Sequence, residues 1–114
     1  MLLIKHPTCS TCIKAEKYLL DRGFSFETRN IVTENPTFKE LKKWHESYGI
    51  EVSKMINTSG MLYRQQNLKE KMLNMSDEDK LKVLSSNGML VKRPILVLKD
   101  RVLFGFRIKE REEI

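Results

Sequence analysis

The stretch that decides the fold is His6-Pro7-Thr8-Cys9-Ser10-Thr11-Cys12-Ile13-Lys14, which holds both cysteines of the chain in a C-x-x-C spacing. A short apolar run, Leu2 to Ile4, precedes it, and apolar residues at helical spacing follow from Ala15. The pattern predicts a buried strand that passes directly into a helix. The cysteine pair is therefore expected at the first turn of that helix.

A thiol in this position has unusual acidity. The first turn of a helix carries unpaired backbone N–H groups and the positive end of the helix dipole, which stabilise a thiolate. An ordinary thiol, with a pKa of about 8.5, is only ~3% ionised at pH 7. We therefore expect Cys9, nearest the loop, to be the exposed nucleophile and Cys12, one turn later, to be the resolving thiol. Lys14 adds a positive charge close by.

Two structural explanations of the cysteine pair are less favourable. A C-x-x-C disulfide closes a very small loop and constrains the unfolded chain little. A zinc site normally needs four ligands, and the two histidines, His6 and His45, lack the spacing of a ligand pair. We therefore expect redox or nucleophilic chemistry, with no bound metal.

The composition is typical of a globular protein with one modest core. The chain has 114 residues, of which 40% are hydrophobic and 32% charged. No run approaches the length of a membrane span, and Met1 to Ile4 is far too short for a signal peptide. We expect a cytoplasmic protein that does not bind membranes, in a compartment where a C-x-x-C pair is catalytic or redox-sensing.

The charge is basic but dispersed. The formal net charge is +6 and the isoelectric point is about 9.4. Such an excess points weakly to anionic partners. Because the basic residues are spread along the chain, we expect a solvated surface and no direct binding of nucleic acid.

The first part of the chain predicts a βαβ unit. Residues 2–5 form a strand, residues 10–22 form a helix that Gly23 ends, and residues 24–28 alternate as a second strand. Two strands joined by one helix are expected to be parallel, with a right-handed crossover.

The remainder predicts helices and then a hairpin. Helices are expected at 37–48, 53–56, 60–73 and 77–86, strands at 93–98 and 101–104, and a terminal helix at 106–113. The prediction is a single α/β domain, 1–114, with a mixed four-stranded sheet and a helical insertion at about 37–87. Five apolar residues of the insertion are expected in its core: Met61, Leu62, Leu68, Met72 and Leu73.

A C-x-x-C pair at the first strand-to-helix turn of a βαβ unit indicates a thioredoxin-like fold. At this point the chain resembles the arsenate reductase (ArsC)/Spx family, thioredoxin-like proteins with a helical block between their βαβ and ββα halves. The resemblance covers essentially the whole chain. It rests on the Cys9 loop, the segment 57–64, Lys92-Arg93-Pro94-Ile95, and the segment 102–105.

The resemblance implies several site residues. The proline of the R-P-I segment is typically cis and faces the cysteine loop, which gives that role to Pro94. Arsenate reductases of the family hold an oxyanion with arginines, and Arg93 and Arg64 match two of them. Arginine suits this role because its planar fork pairs with an oxyanion at two points. We expect Arg93, Pro94, Arg64 and Lys14 to bind substrate.

The departures from the family pattern are informative. Reductases of this kind carry C-x-x-S-R, whereas this chain has Cys12 and Ile13 in the last two places. The missing arginine argues against arsenate as substrate. Spx proteins do carry C-x-x-C as a redox switch, and they regulate transcription by binding the RNA polymerase α subunit. His6 has two open roles, lowering the Cys9 pKa when protonated or capping the loop.

The leading prediction is a thiol–disulfide oxidoreductase that uses the Cys9/Cys12 dithiol. It needs no bound cofactor, because an external thiol or a thioredoxin-type reductant restores the dithiol. Its partners are then that reductant or a disulfide substrate, and a monomer is expected. The alternative is an Spx-like redox-sensing regulator that binds the RNA polymerase α subunit. Arsenate reduction is third.

Overall fold

The computed structural model describes residues 1–105. The chain divides into two compact units, one made of Met1–Ile31 together with the chain from Arg93, and the other of Val32–Lys92. The second unit includes the range predicted as a helical insertion. That the whole chain is one domain with this insertion stays a prediction.

The first unit contains a four-stranded mixed sheet. Its elements are β1 (Leu2–Lys5), α1 (Ser10–Asp21), β2 (Glu27–Asn30), β3 (Ile95–Val97) and β4 (Val102–Phe104). The strand order is β2-β1-β3-β4, with β1 parallel to β2 and antiparallel to β3, and β3 antiparallel to β4. The predicted mixed sheet and its closing hairpin are confirmed.

The helix α1 packs on this sheet through leucines. Leu3 of β1 is paired in register with Leu96 of β3, and both are buried with Leu19 of α1 in one cluster. Burial of aliphatic side chains drives this packing, because it removes apolar surface from water. The sheet and α1 therefore fix the place where β1 ends and α1 begins.

The predicted second strand is displaced along the chain. The prediction was 24–28, whereas β2 is Glu27–Asn30, with Glu27 opposite Leu2 of β1. Phe24 and Phe26 precede the strand and pack against the leucine cluster. Their alternation arises from side-chain packing, and it was wrongly attributed to strand pairing.

The second unit is helical. It contains α2 (Phe38–Tyr48), α3 (Met61–Gln65), α4 (Leu68–Lys71), α5 (Asp77–Ser86) and two short 3-10 turns, Val52–Met55 and Gly88–Leu90. Helix α2 packs against α5, with Leu41, Trp44, Leu81 and Leu84 buried. The predicted helices 37–48, 53–56 and 77–86 are confirmed within a residue at each end.

The predicted helix 60–73 is wrong as a single element. Asn67 adopts a left-handed backbone conformation, with φ 50° and ψ 43°, and separates α3 from α4. Leu68 and Met72 are buried as predicted, and Leu62 is half-buried. Met61 and Leu73 are 74% and 72% exposed, so their assignment to the core is corrected. The break at Asn67 changes which side chains share a face.

Two further predictions concern the limits of the chain. The terminal helix at 106–113 lies outside the described residues. Within residues 1–105, no helix is both long enough and apolar enough to cross a membrane.

Candidate active site

The two cysteines lie where β1 passes into α1. Strand β1 ends at Lys5, and α1 begins at Ser10 with Cys9 as its N-cap residue in an extended conformation. The Cys9 Sγ accepts a hydrogen bond from the Cys12 backbone N–H at 3.4 Å. The sulfur thus takes the place that a serine or aspartate oxygen usually takes at a helix N-terminus.

His6 organises the loop that carries Cys9. Its Nδ1 accepts a hydrogen bond from the Thr8 backbone N–H at 3.1 Å and lies 3.1 Å from the Thr8 hydroxyl. Its carbonyl oxygen accepts the Cys9 N–H at 3.3 Å. Of the two roles left open for His6, the structure supports loop capping, because His6 is not among the groups that shift the Cys9 pKa.

The two thiols have different surroundings. Cys9 is half-buried, whereas Cys12 is fully buried on the inner face of α1, and both are free. Partial burial raises the pKa of Cys9, but hydrogen bonds from Cys12 and the Arg93 guanidinium outweigh it and leave that pKa below its ordinary value. Burial raises the pKa of Cys12 to about 12, and its hydrogen bond to Cys9 adds to that effect. Cys9 is therefore the thiol that ionises first.

Arg93 and Pro94 reach this loop through the sheet. Ile4 of β1 is paired with Ile95 of β3, so the two residues before Ile95 lie beside the end of β1. The Arg93–Pro94 peptide bond is cis, as the resemblance implied, and Pro94 is fully buried. The Arg93 side chain hydrogen-bonds the Cys9 sulfur and places a positive charge beside it.

The other two predicted substrate residues, Lys14 and Arg64, are both exposed. Lys14 is exposed on α1 and is not among the groups that shift the pKa of either thiol. Arg64 is exposed on α3, in the Val32–Lys92 unit. The substrate-binding roles of these residues, and those of Arg93 and Pro94, stay predictions.

An ion pair that the sequence did not indicate supports the loop. Lys5, the last residue of β1, pairs with Glu16, one turn after Cys12 on α1. The pair links the two elements that flank the loop. Glu16 and Thr8 escaped notice because neither belongs to a motif.

The cysteine loop lacks the ligand set of a metal site. Among residues 1–105, no group of three His, Cys, Asp or Glu side chains is close enough to hold a metal ion.

Comparison with known proteins identifies the family. The family model of the ArsC family matches residues 4–114. The chain belongs to the ArsC family. YusI of Bacillus subtilis, an uncharacterized protein, is 42% identical to this ArsC family chain over 108 residues, covering 95% of this chain and 92% of YusI.

The similarity to other proteins covers nearly the whole chain. The crystal structure of a protein from Bacteroides fragilis, described as ArsC family related, is similar to this chain. The TM-score is 0.92 and the identity 42%, and the match covers 98% of this chain and 94% of that one. The global transcriptional regulator Spx of Staphylococcus saprophyticus is 26% identical, covering 95% of this chain and 81% of Spx. The ArsC family chain is therefore thioredoxin-like in fold, as predicted.

Proposed function

We propose that this ArsC family protein is a thiol–disulfide oxidoreductase whose redox centre is the Cys9/Cys12 dithiol. The observation that carries the proposal is that the pKa values of two thiols one helical turn apart are shifted in opposite directions. The Cys9 pKa is lowered by hydrogen bonds from Cys12 and Arg93 that outweigh partial burial, while burial raises the pKa of Cys12. A dithiol enzyme needs this division between an attacking thiolate and a protonated resolving thiol.

The reaction has two exchange steps. The Cys9 thiolate attacks one sulfur of a substrate disulfide, forms a mixed disulfide and releases the other sulfur as a thiolate that takes up a proton. Cys12 then loses its proton and attacks Cys9 Sγ, which forms the Cys9–Cys12 disulfide and releases the second substrate thiol. The substrate gains two electrons and two protons; the protein supplies both electrons and the Cys12 proton, and solvent supplies the other proton.

The cycle closes with an external reductant. A low-molecular-weight thiol or a thioredoxin-type dithiol reverses the same exchange at the Cys9–Cys12 disulfide. This proposal places the protein in the cytoplasm, where such reductants are kept reduced. It requires neither a bound cofactor nor a second protomer.

Arsenate is a poor candidate for the substrate. Ile13 occupies the place of the arginine beside the nucleophile, and its side chain is 57% exposed. An aliphatic side chain donates no hydrogen bond to an oxyanion. We therefore expect little arsenate-dependent oxidation of NADPH in a thiol-coupled assay, despite membership in the ArsC family.

The second candidate is an Spx-like regulator. The similarity to the transcriptional regulator Spx over 95% of this chain favours it. In that case oxidation of Cys9 and Cys12 changes binding of the protein to the RNA polymerase α subunit, and the dithiol does not catalyse the reduction of a substrate. Affinity capture with the reduced and the oxidised protein separates the two, because a regulator retains polymerase subunits and an enzyme retains mixed-disulfide partners.

The test of the enzyme uses hydroxyethyl disulfide and an NADPH-coupled reductant. We expect turnover by the wild-type protein and none by Cys9→Ser. Cys12→Ser should accumulate a mixed disulfide on Cys9, visible by mass spectrometry as an added mercaptoethanol group. Absence of turnover, or an adduct found on Cys12 in Cys9→Ser but never on Cys9, would refute the proposal.

A further inference from the structure

The exposed side of α1 carries an apolar stripe that begins beside the redox centre. Ile13 and Leu20 are 57% and 59% exposed. They are seven residues apart, so they lie on the same side of the helix, about 10 Å from each other along its axis. Lys17 lies between them on that side and is also exposed. We refer to Ile13, Lys17 and Leu20 as the α1 stripe.

The stripe is distinct from the face that holds α1 in place. Cys12, Ala15 and Leu19 are the buried residues of the helix, and by helical geometry they lie on a different face from the α1 stripe. A single exposed apolar side chain is ordinary on a protein surface. Ile13 and Leu20 are the two large aliphatic side chains that α1 exposes, and both lie on one side of the helix that begins at the nucleophile.

The stripe is joined to the nucleophile by the backbone. The Ile13 N–H donates to the Cys9 carbonyl oxygen at 3.0 Å, in the first turn of the helix. Ile13 therefore lies one helical turn from Cys9, within reach of a partner larger than a small disulfide whose sulfur contacts Cys9. A protein partner is large enough to continue along the helix to Leu20.

The charges near the stripe select the kind of partner. Lys14 and Lys17 are exposed on α1, and Arg93 lies at the Cys9 sulfur. Glu16 is paired with Lys5, and Asp21 lies at the end of the helix away from Cys9. The unpaired charges of α1 nearest the nucleophile are thus basic, and Lys17 stands between two exposed aliphatic side chains, which favours an acidic, apolar segment and disfavours a basic one.

We propose that the α1 stripe is the docking surface for a protein partner that presents an acidic, apolar segment beside the disulfide attacked by Cys9. The inference rests on the proposed function and adds to it the class of the substrate. It follows that the protein acts on proteins and that side chains outside the thiol loop contribute to substrate choice.

The test compares two synthetic peptides with the same small disulfide ring. One ring is flanked by glutamate and leucine residues, and the other by serine and glycine. The rate of oxidation of the reduced protein by each peptide is measured by stopped flow, with hydroxyethyl disulfide as a probe too small to reach Leu20. We expect the acidic, apolar peptide to react about tenfold faster than the neutral one, a difference of ~1.4 kcal/mol.

Variants assign that preference to the stripe. In Leu20→Glu and Lys17→Glu the preference for the acidic peptide should fall to about twofold or less, while the rate with hydroxyethyl disulfide is unchanged, because added negative charge repels the peptide. Leu73→Glu is the matched control, since Leu73 is also an exposed leucine, at 72%, and lies outside both α1 and the segment 57–64, so it should keep the full preference. High salt should weaken the preference in the wild type by screening the lysines.

Three results would overturn the inference. One is equal rates for both peptides with the wild type, and another is a full preference retained by Leu20→Glu. The third is an equal slowing of the peptide and hydroxyethyl disulfide in the variants, which would place the effect on Cys9 chemistry. A failure of the proposed function looks different, because the wild type would then react with neither peptide nor with hydroxyethyl disulfide.

Discussion

Two sulfur atoms one helical turn apart differ in acidity because their neighbours differ. Cys9 is partly open to solvent and receives hydrogen bonds from the Cys12 N–H and from Arg93. Burial raises the pKa of Cys12 to about 12, because a hydrogen bond to the His6 backbone and the charge of Arg93 offset that burial only in part. A thiolate on Cys9 is therefore formed while Cys12 still holds its proton, and the proton on Cys12 in turn stabilises that thiolate.

Removing the arginine tests this account. In Arg93→Ala the pKa of Cys9 should rise, because a positive charge and a hydrogen-bond donor are lost while the burial remains. Alkylation of Cys9 by iodoacetamide, followed against pH by peptide mapping, should shift to higher pH and become several-fold slower at pH 7.

Lys14→Ala is the control for this measurement. Lys14 carries the same charge as Arg93 but is not among the groups that shift the Cys9 pKa, so its removal should leave the alkylation curve in place. Faster labelling of Cys12 than of Cys9 in the wild type would contradict the assignment of the nucleophile.

The sequence predicts the site residues unevenly. The order of Cys9 and Cys12 follows from local geometry, since the helix start and the C-x-x-C spacing are both readable. Arg93 was found through the resemblance, because its contact with Cys9 depends on the pairing of β1 with β3. Thr8 and Glu16 were missed, since their contacts depend on side-chain positions that no spacing encodes.

Helix termini are the features of this chain that local sequence determines best. Thr37 and Glu40 form a complete capping box at the start of α2, with hydrogen bonds of 3.1 Å and 3.0 Å. Gly49 ends the helix in a left-handed conformation, φ 63°, that a residue with a Cβ adopts only at a cost. Both ends are fixed by residues within one turn, so the predicted boundaries agree with the structure.

The capping box gives a prediction for stability. Thr37→Ala should lower the free energy of unfolding by about 1 kcal/mol, because the Glu40 N–H loses its acceptor at the helix start. Equilibrium unfolding in urea, followed by circular dichroism, measures the change.

Glu40→Gln is the matched variant for the capping box. A glutamine side chain can still accept from the Thr37 N–H, so this change should cost clearly less than Thr37→Ala. An equal loss in both variants would contradict this, because the negative charge of Glu40 would then stabilise α2 as much as the hydrogen bond that Thr37 accepts.

The elements that were predicted poorly depend on contacts distant in sequence. The break at Asn67 gives no strong local indication, because asparagine is tolerated within a helix as well as in a left-handed turn. The displacement of β2 has the same origin, since Phe24 and Phe26 alternate as strand residues do but pack against the leucine cluster. Tertiary packing overrides local pattern at both places.

The burial of Cys12 affects the stability of the whole molecule. In the folded protein its pKa is about 12, whereas an unfolded thiol ionises near 9.0. Between these two pKa values the thiol keeps its proton in the folded protein but loses it in the unfolded chain. Cys12 therefore contributes its full stabilisation below about pH 9, and that stabilisation is lost as pH rises toward the folded pKa. The pKa of Cys9 is shifted in the opposite direction, so its contribution to stability is lost as pH falls through its lowered folded pKa.

A pair of variants isolates this effect. Between about pH 9 and 11, the free energy of unfolding of Cys9→Ser should fall more steeply with pH than that of Cys9→Ser/Cys12→Ala. The two slopes should differ by a value approaching ~1.4 kcal/mol per pH unit. Urea unfolding under reducing conditions at several pH values provides the two slopes. Parallel curves for the two proteins would show that Cys12 ionises normally in the folded state.

The residues of Val32–Lys92 separate, along the chain, the two segments that form the sheet unit. This separation has a consequence for biosynthesis. Arg93 is added to the nascent chain about 84 residues after Cys9, an interval of ~4–17 s at ordinary elongation rates. Throughout that interval Cys9 has no guanidinium beside it, and β1 has no β3 to pair with. We therefore expect the newly made thiol to be less acidic than the mature one, because the contribution of Arg93 to its lowered pKa is still absent, and to be less readily oxidised until the sheet is complete.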